Sequence, residues 1–311
     1  MSSGARSHTA PVPAGRAPVG LPRLAEMKAN GEPIVMVTAY DYPSASVAEA
    51  AGVDLVLVGD SAANVVLGYD RTDLVSMEEM IVLGKAVRRG LKTPLMIGDM
   101  PMGSYESSNE LAIQNAQRLV KETGCQVVKL EAGGVSVERA RAIIRAGIPV
   151  MGHLGLTPQT ATALGGYKAQ GKSARAAIKL CEDALALQSV GCFAIVFEAV
   201  PAEITAAIVE RLEIPTIGIG AGPATSGQVL VFHDLLGITT GHMAKFVKRY
   251  AEIHEEMVAA LGRYSEEVRG HSFPGPEHGY AVDSEELAEF RRYLDQESLV
   301  SNSDWAWEPL P

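Results

Sequence analysis

Cysteine, aromatic side chains, basic charge and long apolar runs are all scarce in this chain, and each shortage excludes a class of protein. Its three cysteines, Cys125, Cys181 and Cys192, are odd in number, widely spaced and without a CxxC pair. Neither a disulfide framework nor a thiolate metal site is expected, and all three read as reduced core or helix residues. Aromatics make up only 5% of the 311 residues, which argues against an aromatic-rich β-sandwich. Acidic residues outnumber basic ones by 37 to 27, for a formal net charge of −10, so nucleic acid and anionic membranes are poor candidates as partners. No run approaches the ~18 apolar residues of a membrane span, and the opening MSSGARSHTAPVPAGRAPVG holds no apolar stretch that could form a signal-peptide core. A cytoplasmic protein is expected.

What is abundant is aliphatic: hydrophobic residues are 47% of the chain, which suits a parallel sheet wrapped in alanine-rich helices. Residues 1–20 are rich in Pro, Ala, Gly and Ser without periodicity and read as a mobile arm. From 21 to 264 the chain becomes regular. Strand-like runs fall at 34–39, before Asp60, before Asp99, before Glu131, before His153, before Glu198, at 215–219 and at 229–232. Helical stretches lie between them, over about 43–51, 76–90, 108–122, 136–145, 173–190 and 202–211. Pro43 suits a first helical position, Ser76 and Glu79 have capping-box spacing, and Gly124 and Gly147 stand where helices end on a left-handed residue. The loop from Leu154 to Lys168 is long enough to suggest function. Residues 265–311 read as an extension: a linker, a short capped helix with Leu287, Phe290 and Leu294 on one stripe, and a tail in which Trp305 and Trp307 suggest docking on a subunit surface, with a disordered tail as the alternative.

Eight strands alternating with helices over about 230 residues predict an α/β fold, a (β/α)8 TIM barrel, whose active site is built at the C-terminal rim. Asp60, Asp99, Glu131, His153 and Glu198 would converge there, although a lone aspartate after a strand can also cap the next helix. Asp60 and Asp99 are hard oxygen donors without a cysteine partner, so Mg²⁺ is favoured over zinc. Glu131 could hold a metal-bound water. Lys129 shares a strand face with Glu131, and its ammonium could bind a substrate carboxylate or form a structural ion pair with a neighbouring acid. Glu198, beside Val196 and Phe197, occupies a place where burial would suit a general base. GIGAG at 218–222 follows strand seven, where backbone N–H groups bind phosphate in many barrels, but such glycines also serve tight turns and close packing.

The ordered series VGDS (58–61), GDMP (98–101), VKLEAG (128–133), GHLGLTPQ (152–159), GGYKAQG (165–171), FEAVP (197–201), IGIGAG (217–222) and HDLLGI (233–238) resembles the ketopantoate hydroxymethyltransferase family over residues 20–262. The resemblance implies a barrel of the phosphoenolpyruvate/pyruvate superfamily type, usually a homo-oligomeric decamer. It also implies transfer of a hydroxymethyl group from 5,10-methylenetetrahydrofolate, as co-substrate, to 3-methyl-2-oxobutanoate, giving 2-dehydropantoate for pantothenate synthesis. By position, Asp60 and Asp99 match Mg²⁺ ligands, one ion per subunit, and Glu131 matches an acid reaching the metal through water. Ser61 and Lys129 match residues that hold the keto acid's carboxylate, His153 a pocket histidine and Glu198 the general base. No folate-contacting residue is assigned. Two alternatives share the same fold: a Mg²⁺-dependent C–C lyase or mutase of the superfamily, and a non-catalytic barrel scaffold.

Overall fold

A computed structural model describes residues 16–162, 165–241 and 243–295. The described chain divides into two units, meeting in sequence between His254 and Glu255.

The first unit is built on eight parallel strands that close on themselves in sequence order, β8 pairing with β1. After α1 (Leu21–Ala29) come β1 (Ile34–Thr38), α2 (Tyr42–Ala51), β2 (Leu55–Val58), the single turn α3 (Ala62–Val65) and α4 (Met77–Gly90). Then follow β3 (Leu95–Asp99), α5 (Asn109–Thr123), β4 (Val127–Glu131), α6 (Ser136–Arg145), β5 (Val150–Gly155) and α7 (Ala174–Val190). β6 (Ala194–Glu198), α8 (Ala202–Val209), β7 (Thr216–Ile219), β8 (Gly227–Leu230) and the short α9 (Phe232–Leu235) complete it.

Local chemistry sets the helix ends. Ser76 and Glu79 form the anticipated reciprocal cap at the start of α4, with Glu79 N–H donating to Ser76 Oγ at 3.2 Å and Ser76 N–H to Glu79 Oε2 at 2.8 Å. Asp41 caps α2 through Ser44 N–H, and Ser108 caps α5 through Leu111 N–H. Gly124 and Gly147 both take positive φ, 79° and 90°.

The eighth strand begins two residues earlier than the pattern of apolar residues suggested. Gly227, a poor strand former by composition, pairs with Ile34, and a Cβ there would come within 2.2 Å of the Ile34 carbonyl oxygen. At the other end Phe232 N–H donates to Thr38 Oγ1 at 2.8 Å, turning the chain out of the sheet into α9. Between β7 and β8 the described chain has a short loop and no helix.

The pleat separates two apolar layers. Met36, Leu55, Leu57, Ile97, Val127, Met151, Val196 and Ile217 belong to one buried cluster inside the barrel. Val56, Val58, Met96, Val128, Leu130, Ile195 and Phe197 belong to a second, shared with Ala112, Leu119, Ala140 and Leu187 of the surrounding helices. A strand alternates its faces every residue, so Asp99, Lys129, Glu131, His153 and Glu198, each an even number of positions from an interior residue, inherit the inward face.

The second unit, described by itself, contains most of α10 (Ile253–Arg269) and α11 (Ser284–Leu294). The Phe273 ring lies between those of Tyr264 and His278, at centroid separations of 5.6 and 4.9 Å. The capped helix anticipated near the C-terminus is α11, with Asp283 accepting from Glu285 N–H. Phe290 and Leu294 of its stripe are exposed among the described residues. Most of the N-terminal arm, and Trp305 and Trp307, lie outside the described residues. No described helix is long and apolar enough to cross a membrane.

Gly155 ties strand spacing to the site. Its φ is 97°, and an added Cβ would stand 2.2 Å from the Glu198 carbonyl oxygen on β6. Gly155→Ala should therefore lower the unfolding free energy by more than about 1 kcal/mol. Urea titration reads this, and an unchanged midpoint would show that β5 and β6 accommodate the methyl group without strain.

Candidate active site

Strand register brings the predicted residues together. Asp99 pairs with Lys129 across β3 and β4, and Glu131 pairs with His153 across β4 and β5. Glu198 ends β6 level with Gly155 of β5. Asp60 arrives differently: β2 stops at Val58, and the turn through Gly59 and Asp60 carries the aspartate into the same cluster, where its backbone N–H donates to Asp99 Oδ2 at 3.1 Å.

Of the two roles open to Lys129, the structure displays the ion pair. Lys129 Nζ lies 2.8 Å from Asp99 Oδ1, with side-chain exposures of 6% and 1%. Burial works against the Lys129 ammonium, but Asp99 and Asp60 more than offset it and lift the group to about 12. Burial raises the Asp99 carboxyl, Lys129 opposes that rise and Asp60 adds to it. Burial, with Asp60 adding, also pushes the Glu131 carboxyl up, to about 9. Asp60, Asp99 and Glu131 thus crowd a single buried ammonium, and the rise of Asp99 and Glu131 marks carboxylate charge that no further cation offsets.

Ser61 Oγ is 2.8 Å from Tyr40 OH. His153 is fully buried and its Nε2 lies 3.2 Å from Glu198 Oε2, yet neither ring nitrogen is aligned for a hydrogen bond. Burial, followed by the Lys129 charge, lowers the imidazole's affinity for a second proton. Glu198 is the most open of the set, its side chain 16% exposed. Val196 shares its inward face, whereas Phe197 points to the helices, so the enclosure anticipated from these two neighbours is only half present.

Two further residues join the cluster. Gln159 Nε2 donates to Asp60 Oδ2 at 2.9 Å and to the Met100 carbonyl at 3.1 Å, while its backbone N–H donates to Glu131 Oε1 at 3.0 Å. Tyr105 OH donates to Gln159 Oε1 at 2.7 Å. Gln159 falls inside the GHLGLTPQ motif at the head of the long loop, which was the available signal; Tyr105 carried none.

The donor set fits a hard dication. Among the described residues no three His, Cys, Asp or Glu side chains form a ready-made metal cage. Mg²⁺ is commonly held by one or two carboxylates, with water and substrate oxygens completing its shell, and Asp60 with Asp99 meets that requirement. Glu131 Oε2 is buried without a hydrogen-bond partner, as suits a carboxylate that accepts from a metal-bound water.

The GIGAG segment is explained by packing. A Cβ at Gly220 would lie 2.4 Å from the Phe246 ring, and one at Gly222 would lie 2.5 Å from the Ala202 Cβ. A groove of about 880 Å³ beside the starts of β1 and β8 is lined by Ile34, Val35, Gly220, Gly222, Gln228 and Phe246 among others, and by no member of the polar cluster.

A family described as ketopantoate hydroxymethyltransferase matches residues 18–276. The chain is 52% identical over 267 residues to the 3-methyl-2-oxobutanoate hydroxymethyltransferase of Heliobacterium modesticaldum, covering 86% of this chain and 97% of that one. It is 53% identical over 265 residues to the enzyme of the same name from Moorella thermoacetica, covering 85% and 98%. Among solved structures, phosphoenolpyruvate phosphomutase from Streptomyces platensis subsp. rosaceus is similar with a TM-score of 0.55 at 14% identity, covering 88% of this chain and 98% of that one. Phosphonopyruvate hydrolase gives 0.54 at 12% identity, covering 90% and 99%. These likenesses show a shared barrel fold.

Lys129→Met would leave Asp99 buried without its cation and should lower the unfolding free energy by about 3–5 kcal/mol. Adding Asp99→Asn should restore most of that loss. Equal denaturation midpoints for the single and double variants would show that the pair does not carry the effect.

Proposed function

The chain belongs to the ketopantoate hydroxymethyltransferase family, and we propose that its barrel mouth carries out that family's reaction through Asp60, Ser61, Asp99, Lys129, Glu131, His153 and Glu198. The activity is that of a 3-methyl-2-oxobutanoate hydroxymethyltransferase: a one-carbon unit joins a small 2-oxo acid to give 2-dehydropantoate in pantothenate synthesis. In this reading the donor is 5,10-methylenetetrahydrofolate, the enzyme is cytoplasmic, and by family resemblance it is homo-oligomeric. The observation that carries the assignment of roles is the excess of buried carboxyl groups over one ammonium, together with the unpartnered Glu131 Oε2.

Asp60 and Asp99 would hold Mg²⁺, which would supply a Lewis acid for the 2-oxo and carboxylate oxygens of the keto acid. Lys129, kept protonated by its acidic neighbours, and Ser61, oriented by Tyr40, bind the substrate carboxylate. Glu131 orders a water beside the metal ligands. Glu198 stands at the open side of the cluster, within reach of an incoming substrate, and takes the C3 proton. The enolate carbon so formed would bond to the one-carbon unit of the folate. Both C–N bonds to that carbon break, water supplies the hydroxyl oxygen, and the C3 proton and one proton of that water go to the two folate nitrogens. His153 lines the pocket next to Glu198 as a neutral imidazole. A superfamily lyase would need no folate, and a scaffold would need no base, so neither alternative accounts for the family membership and this set of side chains together.

Removing either metal-binding carboxylate, by Asp60→Ala or Asp99→Ala, should abolish Mg²⁺-dependent binding of 3-methyl-2-oxobutanoate while the barrel remains folded. Calorimetry returning wild-type affinity for both variants would take them out of the metal shell.

The base is tested apart from folate chemistry. Wild-type protein with Mg²⁺ should exchange the C3 proton of 3-methyl-2-oxobutanoate for deuterium in D₂O. Glu198→Gln should bind the acid but exchange on the order of 10²- to 10⁴-fold more slowly. Collapse of the methyl doublet in the proton NMR spectrum follows the exchange directly. Wild-type rates in the Gln variant would transfer the role to another group, His153 first.

A further inference from the structure

Gln159 touches two of the carboxyl groups of the proposed metal site, Asp60 and Glu131, and it does so with different parts of the residue. It sits in a 3₁₀ turn, Pro158–Thr160, and is only 4% exposed. The backbone N–H is committed to Glu131 Oε1, and the side-chain Nε2 to Asp60 Oδ2 and the Met100 carbonyl. Both side-chain partners are acceptors, so the amide must present nitrogen to them; turned over, its oxygen would face two oxygens. The remaining amide oxygen meets Tyr105 OH at 2.7 Å, a donor that fixes the same orientation from behind. Tyr105 is itself 2% exposed, and burial, with Glu131 and Glu106 adding, keeps its phenol protonated.

A residue needed only to fill space would not spend every polar atom of its amide on site groups. We infer that Gln159 is a positioning residue for the reaction: it holds the Asp60 and Glu131 carboxylates in the orientation that the divalent cation and its water require, with Tyr105 setting the amide. The Pro158–Thr160 turn is thereby tied to the ends of β2, β3 and β4, so its seating assembles the metal-binding end of the site. This inference rests on the reading of Asp60 as a metal ligand.

The test uses the full-length chain, with calorimetric affinity for Mg²⁺ in the presence of 3-methyl-2-oxobutanoate as the readout and thermal unfolding as the control. Gln159→Leu keeps the bulk and loses the amide; affinity should fall about 10- to 100-fold, as for loss of a hydrogen bond to a charged group. Tyr105→Phe keeps Gln159 but frees its amide, and should cost about 3- to 10-fold. Because Tyr105 acts through Gln159, adding Tyr105→Phe to Gln159→Leu should change affinity less than about twofold, as for two residues acting through one contact. Wild-type affinity in a folded Gln159→Leu chain, or full additivity of the two changes, would overturn the proposal. Should Gln159→Leu fail to fold, Tyr105→Phe decides alone, and wild-type affinity there overturns it. Asp60→Ala separates the two readings. If it loses Mg²⁺ affinity while Gln159→Leu does not, only the positioning role falls; if it binds Mg²⁺ normally, the metal assignment falls and takes this proposal with it.

Discussion

Burying Lys129 against Asp99 at 2.8 Å removes two charges from water, and the attraction between them offsets the cost only while both partners are present. Asp60 and Glu131 then share that one ammonium with Asp99, so the deep end of the site is over-acidic. That imbalance ties the other features together. Burial raises Asp99 and Glu131, Lys129 remains charged, and a hard dication is the species whose arrival would relieve most of the repulsion at once. The same ion pair places an ammonium beside the carboxylates where a 2-oxo acid would bring its own negative charge.

Barrel geometry makes this arrangement possible without a polar core. Along each strand the inward positions are aliphatic at the lower levels, with Leu95 and Ile97 beneath Asp99 and Val127 beneath Lys129 and Glu131. The ionisable groups occupy only the upper inward positions, with Lys129 one pleat below Glu131. There is a gradient within the set as well, from Asp99 at 1% side-chain exposure to Glu198 at 16%. Groups suited to holding a metal lie deep, and the group suited to accepting a proton from substrate lies toward solvent. The glycine at 155 lets β5 and β6 approach closely enough to keep His153 and Glu198 side by side.

Much of this was legible in the amino-acid order. Hydrophobic runs ending in Asp, Glu or His, spaced by helix-length segments with recognisable caps, determined a closed parallel barrel and the inward face of Asp99, Lys129, Glu131, His153 and Glu198, because strand parity is a local property of the chain. Tertiary structure alone decided the rest. Asp60 lies beyond the end of its strand, and parity would not have turned it inward; the Gly59–Asp60 turn and the bond to Asp99 do. That Asp99 is the partner of Lys129 followed from the register of β3 against β4. The start of β8 at Gly227 depended on the approach of Ile34, which no apolar pattern records. Gln159 and Tyr105, 54 positions apart in sequence, became part of the site only when a loop folded over three strand ends, since contacts between distant segments are set by closure of the barrel and not by the residues on either side of them.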